Sequence, residues 1–177
     1  ALLVIDVQND YFKNGKMELV GPDQALDKIK QLEQYFNEKN LPIIYVQHIN
    51  PPQASFFQEN TDGVLLHPEL SAGSDSLIVT KRYPNSFLET NLDELLKAHQ
   101  IEQLIIIGMM THMCIDSGTR AAKELGYQPI LIADATATRD LSHDGKTVKA
   151  EDVQTAFLTA LSTFANVQNT ADFLTSS

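Results

Sequence analysis

Short runs of branched apolar residues alternate with amphipathic stretches along the whole chain, and few folds accept that order. Leu2 to Val7 is continuously apolar up to Asp6, as expected for a strand buried on both faces. Pro22 then opens a stretch in which Ala25, Ile29, Leu32 and Phe36 fall on one helical face. Further strands are expected at Pro42 to Gln47, Ser76 to Val79, Gln103 to Ile107, Gln128 to Ile132 and near Val167. Helices are expected after Thr90, read as an N-cap with Leu92, Leu95 and Leu96 on the buried face, and from about Met113 to Leu125, closed by Gly126. Another is expected through Val153, Phe157, Ala160, Leu161 and Phe164. Strand and helix in strict alternation predict an α/β fold: one domain, residues 1–177, with a doubly wound, Rossmann-like parallel sheet of about six strands.

A chain of 177 residues buries enough surface to fold without staples. The balance of 13 basic against 23 acidic residues leaves a net charge of −10 and no basic stripe, so neither nucleic acid nor an anionic membrane is an expected partner. No apolar run approaches the roughly 20 residues of a membrane span. The apolar N-terminal stretch has no basic flank and no small-residue cleavage site, so it reads as a strand and not as a signal peptide. One cysteine permits no internal disulfide, which suits a reducing, cytoplasmic setting.

Ligands of open parallel sheets bind beyond the carboxyl ends of the strands, near the point where strand order reverses. Asp6, Gln8 and Asn9 follow the first expected strand, Lys81 and Arg82 follow the third, and a glycine-led turn ending in Cys114 follows the fourth. An acid, a base and a thiol therefore project toward one edge. A free cysteine is commonly a small buried hydrophobe. At the start of a helix, however, the dipole and unpaired N–H groups favour a thiolate and suit an oxyanion, and a nearby Lys81 would lower the thiol pKa further. Asp6 is positioned to move the thiol proton to a leaving amine; its plainer reading is a turn former. His112, two residues before Cys114, reads as a pocket-lining residue or an ordinary loop histidine. Two long connections, about His48 to Asp75 and Ala133 to Lys149, are of a length usually functional or disordered. Pro51, Pro52, Phe56 and Phe57 in the first argue for a loop folded over something.

The segments ALLVIDVQNDYF, KRYPNSF and GMMTHMCIDSGTRAAKELGY closely resemble the isochorismatase-like cysteine hydrolases, in that family's order and across nearly the whole chain. The resemblance implies that Asp6, Lys81 and Cys114 are the catalytic carboxylate, lysine and nucleophile. It also implies a cis peptide between Met109 and Met110, with the backbone N–H groups of Met110 and Cys114 forming the oxyanion hole. The reaction implied is cleavage of a C–N bond (amide, lactam or imide) in a small molecule through an acyl-thioester, without cofactor, in a homo-oligomer. Phe12, Tyr83, Phe87 and Met113 are expected pocket walls, and Gln8, Asn85 and Ser86 expected polar contacts.

Departures from the family narrow this further. Nicotinamidases of the family bind a metal through an Asp-x-His and a further His, whereas the matching region here reads QHINPPQASFF, with His48 alone. No metal site is therefore expected. Isochorismatases proper lack the cysteine. The GMMTHMC form is closer to members similar to streptothricin hydrolase. A non-catalytic small-molecule binder with this fold is the competing reading. A nucleotide-binding domain is disfavoured because no glycine-rich turn follows the first strand.

Overall fold

The computed structural model describes residues 1–176. The first strand, β1 (Leu2–Ile5), shows directly how the sheet divides the core. Leu2 and Val4 point into one apolar layer, which includes Ala25, Ile29, Leu32, Phe36 and Phe173. Leu3 and Ile5 point into the other, with Leu92, Leu96, Ala122 and Leu161. That two-residue alternation, with both sides apolar, is why the strand reads as an unbroken hydrophobic run.

The chain continues through α1 (Pro22–Glu38), β2 (Ile43–His48), β3 (Leu77–Lys81), α2 (Leu92–Ala98) and β4 (Gln103–Met109). A π-turn over Thr111–Ile115 leads into α3 (Asp116–Glu124). Then come β5 (Gln128–Ala137), the hairpin β6 (Leu141–His143) and β7 (Lys146–Val148), α4 (Ala150–Leu161), β8 (Asn166–Gln168) and α5 (Thr170–Ser176). The main sheet has six strands in the order β3-β2-β1-β4-β5-β8, all pairs parallel. Its order reverses between β1 and β4, so the doubly wound expectation holds. No helix among the described residues is long and apolar enough to cross a membrane.

Gly108 makes the close approach of β4 to β1 possible. It has φ +121°, and a Cβ there would sit 2.0 Å from the Ile5 carbonyl oxygen. The expected helix from Met113 begins differently. Ile115 N–H bonds Met110 C=O, five residues back, so the first turn is a π-turn and the α-helix starts at Asp116. The 133–149 connection is also more ordered than expected: β5 runs on to Ala137, and Asp144-Gly145, both with positive φ, close the β6–β7 hairpin.

Candidate active site

Four buried side chains meet beyond the carboxyl ends of the central strands. β1 ends at Ile5, and Asp6 turns away from the strand with φ +53° while its N–H still bonds Val46 C=O at 3.0 Å. Left-handed backbone is uncommon outside glycine, and aspartate is among the residues that tolerate it. Lys81 is the last residue of β3 and pairs in register with His48, the last residue of β2. Lys81 Nζ lies 2.9 Å from Asp6 Oδ2 and donates to the Pro84 carbonyl, also at 2.9 Å. Cys114 stands in the π-turn after β4. The residual exposures of Asp6, Lys81, Cys114 and His48 are 0, 2, 3 and 8%.

His48 extends the three sequence-derived residues to four. Its Nδ1 is 3.8 Å from Asp6 Oδ2, and the ligand atoms of Asp6, His48 and Cys114 lie within 4.8 Å of one another. Among the described residues this oxygen, nitrogen and sulfur set is the one that could hold a metal ion, chemically suited to zinc, although Lys81 already sets a cation against Asp6. Sequence spacing shows no neighbours for His48. Its position as the last residue of a strand next to β1 is the available signal.

The electrostatics differ from the helix-terminus expectation. Burial pushes the Cys114 thiol well up, the Asp6 carboxylate adds to this, and Lys81 opposes it without prevailing. The resting sulfur is therefore a protonated thiol. Burial alone would lower Lys81, but the Asp6 carboxylate leads the groups that outweigh it and hold the amine above its ordinary range. His48 is lowered, by burial first, and so is neutral at pH 7.

The Met109–Met110 peptide is cis. Cys114 N–H precedes the first i→i+5 bond of the π-turn, in the stretch where helix-start donors lack intrahelical acceptors.

A family model described as the isochorismatase domain matches residues 1–172. The chain belongs to the isochorismatase family. An uncharacterized isochorismatase family protein of Bacillus subtilis, YddQ, is 42% identical over 98% of this chain and 98% of its own length. A putative isochorismatase hydrolase from Oleispira antarctica, known as a crystal structure, superposes with a TM-score of 0.95 at 41% identity, covering 98% of this chain and 95% of that one. Streptothricin hydrolase of Streptomyces noursei is 30% identical over 80% of this chain and half of its own length. In this isochorismatase-family hydrolase the family match thus spans residues 1–172.

The residues expected to contact substrate divide. Gln8 is corrected to a clamp. It is fully buried, its Nε2 donates to the carbonyls of His48 (2.8 Å) and Val64 (2.7 Å), and its Oε1 accepts His48 N–H (2.9 Å). Those three bonds commit both ends of its amide, so Gln8 holds His48 in place. Phe12 is buried and packs its ring on His67 at 4.2 Å. Phe87 stacks on Tyr127 and lines a cavity of about 350 Å³ with Asn85, Leu88 and Leu125, whose walls include none of Asp6, Lys81 or Cys114. Phe12 and Phe87 thus each pack against another ring. Ser86 is fully buried, with its Oγ near Gly118. Tyr83 and Met113 are exposed, two residues past Lys81 and one before Cys114. His112 hydrogen-bonds Thr138 Oγ1 through Nδ1 at 2.6 Å and meets Phe157 edge-on, which ties the π-turn that carries Cys114 to the end of β5.

The long connection after β2 is folded over the cluster. Phe57 is fully buried, its ring 6.1 Å from that of His48 and 4.5 Å from that of Tyr11. Asp10 pins it: one carboxylate oxygen accepts Phe57 N–H at 2.6 Å and the other Lys16 N–H at 3.0 Å. Nothing in the sequence marks Asp10 for this task, because its role depends on a loop some fifty residues away.

Proposed function

We propose that this isochorismatase-family hydrolase cleaves a C–N bond of a small amide, lactam or imide through an acyl-thioester on Cys114. The observation that carries this reading is the convergence of Asp6, Lys81 and Cys114 in one buried cluster. Similarity to streptothricin hydrolase supports the bond type.

The high thiol pKa shapes the steps. Because the resting sulfur is protonated, attack and deprotonation are coupled: Sγ bonds the substrate carbonyl carbon as its proton passes to the Asp6 carboxylate. The carbonyl π-electrons move to oxygen, and the oxyanion is received by the N–H groups of Met110 and Cys114. Losing one such donor typically costs about 3–4 kcal/mol in the transition state. Collapse breaks the C–N bond, and Asp6 gives its proton to the departing amine. Water then adds to the thioester, losing a proton to Asp6. The C–S bond breaks, the acid leaves, and the sulfur regains its proton. Throughout, Lys81 compensates a carboxylate that would be prohibitive to bury alone.

The test is a screen of small amides, lactams and imides read by ammonia or amine release, run on wild type and Cys114→Ala. Turnover confined to the wild type supports the proposal. Equal release by both proteins removes it, and binding without release favours the non-catalytic reading.

A further inference from the structure

Acyl transfer as proposed uses Asp6, Lys81 and Cys114 and leaves the fourth buried side chain of the cluster, His48, without a task. The protein nevertheless holds it firmly. His48 closes β2 in register with Lys81. The Gln8 amide brackets its main chain, accepting His48 N–H at 2.9 Å and donating to the His48 carbonyl at 2.8 Å. The fully buried Phe57 covers the imidazole, with 6.1 Å between ring centroids. Besides Asp6 and Lys81, the polar groups beside the imidazole are the Asn50 side chain and the Arg82 backbone. A buried polar ring fixed in this way calls for an explanation.

The distances around it suit a water molecule. His48 Nδ1 is 3.8 Å from Asp6 Oδ2, too far for a direct hydrogen bond and a separation that one bridging water spans. The ligand atoms of Asp6, His48 and Cys114 all lie within 4.8 Å of one another, so a water between His48 and Asp6 stands beside the sulfur. Asp6 Oδ1 is buried with no hydrogen-bond partner among the described residues, an acceptor in want of a donor. That want sharpens in the acyl-enzyme, because the thiol proton has left with the amine and Sγ has none to offer. A neutral imidazole keeps one acceptor nitrogen, and burial holds His48 neutral.

We propose that His48 holds the water that hydrolyses the acyl-thioester, accepting a hydrogen bond from one O–H while Asp6 removes the proton of the other. This role rests on the reading of Cys114 as the acylated nucleophile and belongs to its second step. The water oxygen bonds the acyl carbon as one proton passes to the Asp6 carboxylate. The C–S bond breaks, Asp6 returns that proton to the sulfur, and the other proton leaves on the product acid. His48 changes neither its charge nor its bonds. With both O–H groups committed, the water turns a lone pair to the acyl carbon, an orientation that bulk water does not supply. Loss of the amine needs no water, so acylation does not call on His48.

Acetylation by p-nitrophenyl acetate separates the two steps. Release of p-nitrophenolate reads acylation, and intact-protein mass, with the acetyl group mapped to Cys114, reads deacylation. In folded His48→Phe, which keeps a ring but no acceptor, deacylation by water is expected to fall at least tenfold while acylation stays within threefold of wild type. Hydroxylamine, which attacks without the held water, should clear the acetyl group from both proteins at rates within threefold. An Asn amide reaches the Nδ1 position and a Gln amide the Nε2 position, so His48→Asn should deacylate at least threefold faster than His48→Gln. If His48→Phe does not fold, this amide pair decides alone. Deacylation unchanged in folded His48→Phe, or lost together with acylation and not restored by hydroxylamine, overturns the proposal, as do equal rates in His48→Asn and His48→Gln. A wild type that never carries acetyl on Cys114 removes the nucleophile reading and this role with it, a result distinct from an acetyl-enzyme that hydrolyses whatever stands at position 48.

Discussion

Lys81 Nζ lies 2.9 Å from Asp6 Oδ2, and neither side chain has exposed surface. The two come from strands that are not neighbours, β1 and β3, with β2 and its terminal His48 between them. Removing one member of a buried pair strands the other charge, typically at a cost of about 3–5 kcal/mol. Asp6→Asn should therefore lose both stability and turnover. The double variant Asp6→Asn/Lys81→Met should recover most of the stability and none of the turnover. Urea midpoints and amine release, measured together, check this. Equal destabilisation of single and double variants would show that the pair is not coupled.

The thiol pKa gives a signed prediction. Burial, then Asp6, pushes it up, and Lys81 pulls it down. Removing the Asp6 charge should make Cys114 alkylate faster at pH 8, and Lys81→Met should make it slower. Alkylation rate against pH in the two variants measures both directions, and a reversed order would contradict the electrostatics described.

Acid should destabilise the protein before carboxylates titrate. His48 and His112 both have folded-state pKa values lowered from 6.5, by burial first. As pH falls through 6.5 the unfolded chain binds protons that the folded chain refuses, so stability is present above that pH and declines below it. Around His48 the relevant charges are Asp6, which opposes the shift, and Lys81, which reinforces it. Unfolding midpoints between pH 7.5 and 5.5 should fall, and His48→Asn should flatten the decline.

Two glycines make opposite predictions. Gly108→Ala drives a Cβ to 2.0 Å from Ile5 C=O at φ +121° and should cost more than about 2 kcal/mol. At Gly118 the nearest atom to a new Cβ is Ile5 Cδ1 at 3.4 Å, an ordinary contact, so Gly118→Ala should fold normally. Thermal unfolding of the two variants separates them.

Much of the sheet is legible in the sequence because parallel strands buried on both faces leave continuous apolar runs such as LLVI and LIII. β5 extends beyond its sequence expectation because ADATA carries small residues that pack without advertising a strand, and the hairpin lies in a stretch that reads as a long connection although Asp144-Gly145 is a strong turn signal. Asp6, Lys81 and Cys114 are identifiable from their places after strands. His48 and Asp10 are not, because each acquires meaning only from partners that the strand order and the loop after β2 decide. Gln8 reads as a polar contact for substrate because sequence cannot show that three backbone groups already use it.

The central claim is most directly tested by acid-quenching the enzyme during turnover of an amide found in the screen and weighing the intact protein. The expected result is an added mass equal to the substrate less its amine, mapped to Cys114 and absent from Cys114→Ala. Hydrolysis that persists in Cys114→Ala, or an adduct on any other residue, would contradict it.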